Sequence, residues 1–343
     1  MASLRVDRKF LVGLAVSAVC LAFLLRKMDL AKLVDAFRTM ETVYLIPAIG
    51  LTFVSYYFRA VRWRFLLLPI KRVSMWPLIS ATLIGYMANN LLPARLGEFV
   101  RAYVLAQREE LPTGQVFATL VLDRLYDGFT VLLILLITFF TVKLPTGMET
   151  IQQAMVTGGY VTLAVYLCCI AFIVVLRRRT AWTLGIVETV LRPFPEKIGS
   201  CIVVALSSFI GGLRISTRTV ELLALLATSL VIWTFATWPI DLILRAFGIM
   251  LPITAAMFIM VFLVFAVMVP AAPGYVGTYH AACVYGLMAF RIPLEQAMSV
   301  ALVIHGISFF PVIIAGLFCG WRDNLSLRAI SARSSQQELT REQ

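Results

Sequence analysis

The chain has 343 residues, 61% of them hydrophobic and only 14% charged, with a mean hydropathy of +0.91. That excludes an ordinary soluble domain, in which about a quarter of the residues are charged. The formal net charge of +12 lies in short loops and at the ends of apolar runs, as the positive-inside rule predicts, with no soluble basic domain to suggest nucleic-acid binding.

Arg5, Val6, Asp7, Arg8 and Lys9 precede an apolar run to Leu25. It resembles a signal sequence, yet its length and the early return of hydrophobicity predict an uncleaved first span. Val19 before Cys20 is a poor fit to a lipoprotein acceptor. A helix needs about 20 apolar residues to cross the hydrocarbon core. Spans are predicted near 9–25, 44–66, 117–142, 156–176, 219–241, 252–269 and 297–320, with 273–290 as an eighth. Basic edges at 5–9, 59–72, 177–179, 192–218 and 322–333 alternate with loops poor in Lys and Arg near 143–155, 242–250 and 291–296. Eight crossings then put both termini and the basic segments on the cytoplasmic side of a cytoplasmic (inner) membrane.

That parity requires 76–107 to enter and leave by one side. A re-entrant hairpin does so, because irregular backbone at depth is tolerated where protein or a wet cavity covers it. Two short helices at the interface are the alternative. Leu30, Leu33, Val34 and Phe37, interleaved with Lys32, Asp35 and Arg38, predict a short interfacial helix on the outer side. Trp182, Ile186 and Val190 give 180–218 a similar reading on the cytoplasmic side, near anionic lipid. The expected fold is an all-α polytopic membrane protein with about eight transmembrane helices plus re-entrant segments. Residues 1–330 form one integral domain, and 331–343 are a polar tail expected to be disordered.

The segment 59–127 packs Arg59, Arg62, Arg64, Arg95, Glu98, Arg101, Asp123, Arg124 and Asp127 into otherwise membrane-like sequence. A charge near the bilayer centre costs about 2.5–3.5 kcal/mol on insertion scales, so such residues face a protein interior or a cavity. Arg59 and Arg62 share a helix face at i,i+3. Arg64 reads as a positive-inside anchor beside an interfacial Trp63. In Asn89–Asn90–Leu91–Leu92–Pro93–Ala94–Arg95–Leu96–Gly97–Glu98, proline and glycine bracket a break, and a helix restarting at Glu98 would offer free N–H groups to an anion. Arg95, Glu98 and Arg101 then share a stripe, with Glu98 holding the two arginines as a phosphate fork. Asp123 and Asp127, with Arg124 between them, predict a salt-bridging and gating network with Arg59 or Arg95.

Pro273–Gly274–Tyr275–Val276–Gly277 repeats the P-x-x-x-G form of Pro93 to Gly97. It suggests a two-half pseudo-repeat, with Thr278 as N-cap of the following helix. His280, just beyond, is a proton-coupling candidate that His305 matches less well. No metal or other cofactor is expected. The six cysteines (Cys20, Cys168, Cys169, Cys201, Cys283, Cys319) form no CxxC pair and read as small buried hydrophobes.

Arg62–Trp63, Asn90 through Glu98 with Arg101, Asp123–Arg124–Leu125–Tyr126–Asp127, and Pro273 through Gly277 resemble the flippase-like family that includes the membrane region of lysylphosphatidylglycerol synthase. The resemblance covers about 8–322. It implies some eight helices with re-entrant segments and a role in moving or presenting lipids, aminoacylated phospholipids and polyprenyl-linked sugars among them. Tyr275 stands where many relatives have a second glycine, and His280 where they have a glutamate. The soluble aminoacyl-transfer part is not found in these 343 residues, so synthesis of an aminoacylated lipid is not expected.

Together these features predict a non-enzymatic lipid translocase. Arg59, Arg62, Asn90, Arg95, Glu98, Arg101, Gly274, Gly277, Thr278 and His280 form its anionic-headgroup site, and Asp123, Arg124 and Asp127 its ion network. No GxxxxGK[ST] pattern occurs, so ATP hydrolysis by this chain is not expected. The expected partners are membrane lipids and a lipid-modifying enzyme. The alternatives are a membrane-embedded glycosyl- or phospho-transferase, disfavoured by the short outer loop with scattered Asp29, Asp35 and Glu41, and a lipid-binding scaffold.

Overall fold

The computed structural model describes residues 30–92, 96–142, 149–191, 196–213, 218–268 and 272–323. The expected span 9–25, Cys20, Pro93, Arg95, Pro270 and the tail 331–343 lie outside the described residues.

The helices run in chain order as α1 Leu30–Arg38, α2 Leu45–Leu67, α3 Met75–Leu91, α4 Gly97–Glu109, α5 Thr113–Thr141, α6 Glu149–Arg178, α7 Thr180–Leu191, α8 Glu196–Gly212, α9 Thr219–Ala246, α10 Ile253–Met268, α11 Thr278–Met288 and α12 Leu294–Arg322. Short 3₁₀ turns precede α2 at Thr42–Tyr44 and α11 at Pro273–Tyr275. There is no strand among the described residues. The stretches Thr42–Leu67, Val156–Arg178, Thr219–Ala246 and Leu294–Arg322 are long and apolar enough to cross a membrane. The chain is a multi-pass membrane protein. Its outward large apolar side chains, such as Phe140, Ile314 and Trp321, would be aggregation hazards in water and are at home in lipid.

α11 has 11 residues and rises about 16 Å, short of the roughly 30 Å hydrocarbon core. The eighth span expected over 273–290 is therefore a break followed by a short helix. α1 forms where expected, and Leu33 and Phe37 pack into the apolar core, with Ser299 of α12 donating to the Leu33 carbonyl. The 180–218 segment is not one surface strip. Trp182, Ile186 and Val190 of α7 do face outward, but α8 packs on α5, with Gly212 so close that a Cβ there would overlap the Gln115 carbonyl oxygen. Cys283 and Cys319 are buried as expected, whereas Cys168, Cys169 and Cys201 are exposed; burial was inferred from apolar surroundings, which an outward face in lipid shares.

Two apolar clusters fill the interior. One gathers Ala48, Val131, Ile134 and Ile232 with α10, α11 and α12. The other gathers Ala60, Trp63, Leu66, Val116, Leu122 and Leu225 with α3 and α4. Each of α2, α5 and α9 passes from one cluster to the other, and at each passage polar side chains are buried: Arg59 and Arg62, Asp123 and Asp127, and Ser229. A charged layer thus separates two apolar cores.

α3 and α4 pair as an antiparallel helical hairpin because glycines let their backbones meet. A Cβ on Gly97 would overlap the Gly85 carbonyl oxygen, and one on Gly85 would stand 2.6 Å from Arg101 Cβ. Asn89 Oδ1 accepts from the Gly97 N–H at 2.8 Å, closing the break from the α3 side. Gly97→Ala is expected to destabilise the protein by about 1–3 kcal/mol through overpacking, whereas Gly320→Ala, with open space around it, should be neutral. Thermal unfolding of both variants in detergent checks this; equal midpoints would contradict so close a hairpin.

Candidate functional site

Arg62 is the centre of the charged layer. Its side chain projects from α2 and is fully buried. Nε donates to Asp123 Oδ1 at 2.7 Å, Nη2 to Asp127 Oδ1 at 2.8 Å and Nη1 to Ser229 Oγ at 3.0 Å. The two carboxylates lie one turn apart on one face of α5, which lets a single planar guanidinium bridge them. Each carboxylate has further partners. Asp123 Oδ2 takes Arg101 Nη1 at 3.2 Å. Asp127 accepts from Trp233 Nε1 at 3.1 Å, Arg124 Nη1 at 2.8 Å and Arg59 Nη1 at 3.3 Å.

The aromatic residues set the layer's shape. The Arg59 guanidinium lies 5.4 Å from the Tyr86 ring centroid and 5.5 Å from that of Trp233, within cation–π range. Arg124 donates to the Tyr86 hydroxyl at 3.0 Å and reaches Glu98 Oε1 at 2.9 Å. Arg101 rests 4.1 Å over Trp63, whose indole N–H donates to Thr119 at 2.9 Å. Trp63 is fully buried, so it is not the interfacial anchor its neighbours suggested: it is the platform for a buried arginine.

Several sequence-predicted residues take different roles here. Glu98 pairs with Arg124, and Arg101 turns to Asp123; the expected Glu98 clamp on Arg101 is replaced because α5 brings its own charges alongside. Arg62 and Arg101 are enclosed and hold the layer together, while Arg59 and Arg124 open onto space. Arg101 Nε and Nη2, Arg124 Nε and Glu98 Oε2 are buried without a hydrogen-bond partner among the described residues.

That space is a cavity of about 450 Å³ with Arg59, Arg124, Asp127 and Tyr86 in its wall. The remaining lining is mainly apolar, including Val131, Pro239, Leu263, Phe265 and Ile304, with Tyr279 and Ser308 from the α11–α12 side. Such a volume and mixture suit a small polar group carrying hydrocarbon. Four guanidiniums (Arg59, Arg62, Arg101, Arg124) face three carboxylates (Glu98, Asp123, Asp127) in the layer, so the described charges favour an anion.

The two sequence breaks meet in space. The Tyr275 hydroxyl donates to the Asn89 carbonyl at 3.5 Å, and a Cβ on Gly274 would approach the Asn90 carbonyl oxygen to 3.8 Å. Gly274 at φ +73° and Gly277 at φ +97° occupy backbone that disfavours other residues. Gly277, not Thr278, is the N-cap of α11, and Thr278 Oγ1 donates back to the Tyr275 carbonyl at 3.3 Å. His280 Nδ1 accepts from the Gly277 N–H at 3.3 Å, the bond a glutamate at this third helical position makes in a capping box. A helix-end donor is therefore satisfied internally at each break, by Asn89 for Gly97 and by His280 for Gly277. These two N–H groups are therefore engaged, whereas the donors the sequence suggests for a phosphate belong to the residues that follow them, from Glu98 and Thr278 on.

His280 Nε2 also contacts His305 Nδ1 at 3.2 Å. With Nδ1 of His280 accepting, a neutral ring there carries its hydrogen on Nε2, the atom that faces His305. No group of three or more His, Cys, Asp or Glu able to hold a metal occurs among the described residues.

Residues 10–316 match the family model of the lysylphosphatidylglycerol synthase TM region. This chain belongs to that family. A UPF0104 membrane protein of Methanothermobacter thermautotrophicus is 27% identical over 277 residues, covering 77% of this chain and 80% of the relative. Glycosyltransferase AglD of Haloferax volcanii is 24% identical over 97% of this chain, which spans 57% of that relative's length. The UPF0104 membrane protein MJ1595 of Methanocaldococcus jannaschii is 26% identical over 122 residues, 35% of this chain and 36% of the relative. No solved structure matches. The sequence-level resemblance to the membrane region of the synthase thus stands as family membership.

Sequence reasoning missed Ser229, Trp233, Tyr86 and Tyr279. Trp233 alone carried a signal, since a tryptophan within a span needs a partner for its N–H. Asp123→Asn should leave Arg62 and Arg101 short of a buried counter-charge and destabilise the protein by about 3–5 kcal/mol. Arg59→Gln, at the cavity wall, should cost clearly less. Denaturant unfolding of the two variants in detergent measures the difference, and equal losses would contradict the division of roles.

Proposed function

We propose that this family member translocates an anionic phospholipid or polyprenyl-linked lipid across a cytoplasmic membrane. The observation that carries it is the cavity that joins Arg59 and Arg124 to an apolar wall beside a layer with surplus positive charge. The headgroup phosphate would meet these two guanidiniums, and hydrocarbon would follow the apolar side. Arg62, Asp123, Asp127 and Arg101 position the layer. Arg95 belongs to the same basic run in sequence. The Lys- and Arg-rich segments near both ends support cytoplasmic termini; with α11 too short to cross alone, that orientation needs the Pro273–Tyr275 turn and α11 together to complete the eighth crossing. The chain acts as a transporter and not as an enzyme, with drive from an ion gradient, from consumption of the lipid or from its own gradient, and with a lipid-modifying enzyme as a fitting partner.

Charge-assisted hydrogen bonds contribute about 1.5–3 kcal/mol each. Arg59→Gln with Arg124→Gln should therefore slow translocation of a fluorescent phosphatidylglycerol in proteoliposomes by at least about tenfold, read from its accessibility to a membrane-impermeant quencher. Wild-type rates in a folded double variant would reject this site.

The similarity to a relative named a glycosyltransferase favours a second reading, glycosyl transfer within the membrane. Product formation from a polyprenyl-linked sugar in detergent, where sidedness is lost, would replace transport with that activity.

A further inference from the structure

α2 carries two arginine faces with opposite fates. On the inner face Arg59 and Arg62 are matched by Asp123 and Asp127. On the outer face Tyr57, Val61, Arg64, Phe65 and Leu68 recur at helical spacing and, with Arg72 beyond the helix end, line a groove of about 460 Å³. Arg64 and Arg72 are exposed, and neither meets a carboxylate among the described residues. Their neighbour Lys71 is engaged instead, with Glu109 Oε2 at 2.9 Å and the Glu109 carbonyl at 2.8 Å. The groove therefore offers two uncompensated guanidiniums above an aromatic and aliphatic floor at the basic end of a membrane-spanning helix.

We propose that this groove is a second lipid site, separate from the cavity, which holds the headgroup phosphate of an anionic phospholipid from the surrounding leaflet. Arg64 and Arg72 supply the donors, and Tyr57, Val61, Phe65 and Leu68 take the adjoining carbons. A lipid fits better than a free phosphate ion, because the ion would leave that apolar floor without a partner, whereas juxtamembrane arginines attract anionic lipid directly. Met75, which opens α3, also lines the groove. An occupant would therefore bridge the end of α2 and the start of the α3–α4 hairpin, linking leaflet composition to the element that carries the first break.

The test uses full-length protein in phosphatidylcholine nanodiscs containing a small fraction of photoactivatable phosphatidylglycerol or, in parallel, photoactivatable phosphatidylcholine, with adducts mapped by peptide mass spectrometry. The 57–75 segment of the wild type should label about tenfold more with the anionic lipid. Arg64→Gln with Arg72→Gln should remove that preference, while Arg64→Lys with Arg72→Lys, which keeps the charge, and Lys71→Gln, which lies outside the groove, should retain most of it. Equal labelling by the two lipids, or an undiminished preference in the folded glutamine variant, would overturn the proposal and leave these arginines as topological anchors. Should the glutamine pair fail to fold, the wild-type lipid comparison and the Lys71→Gln control still decide.

Discussion

One guanidinium organises this protein. Arg62 has no exposure and no way to shed its charge, so a fold that buries it must bring carboxylates to it. Asp123 and Asp127 do so from adjacent turns of α5, and Ser229 takes the remaining edge from α9. Three long helices are thereby fixed in rotation and height at one level. Dry apolar packing alone would tolerate sliding along these helices; a fork bonded on all three nitrogens does not.

The rest of the layer is built outward from that fork. Arg101, stacked on Trp63 and held by Asp123, ties the α3–α4 hairpin to the same carboxylate that binds α2. Arg124 spans Glu98 and Asp127, linking the first turn of α4 to α5. What remains reachable is the outer margin of the layer, where Arg59 and Arg124 border the cavity. The interior charges fix geometry and the marginal ones stay open to a ligand, a division that follows from burial and not from residue type.

The two breaks share a logic. Each has a glycine where a side chain would clash or strain the backbone, and each leads into a helix whose end N–H is satisfied by a nearby side chain, Asn89 or His280. Because the Tyr275 turn rests on the end of α3, each break helps to cover the other. Irregular backbone deep in an apolar environment requires such cover.

The sequence by itself determined the membrane class, the long helices α2, α5, α6, α9, α10 and α12 to within several residues, the interruption after Leu92 and that after Pro273, and which charges demanded an explanation. Each of these follows from local properties: apolar run length, proline and glycine chemistry, and the cost of charge in hydrocarbon. Tertiary structure alone decided that Arg62 and Arg101 are enclosed while Arg59 and Arg124 face the cavity, that Trp63 is buried, that Glu98 serves Arg124, and that the Gly97 and Gly277 N–H groups are already taken. Arg62 and Asp123 are 61 residues apart, and Arg62 and Ser229 are 167 apart. Helical periodicity fixes which side chains share a face, but the partner across the interface depends on how whole helices pack, and that information is spread over the entire chain.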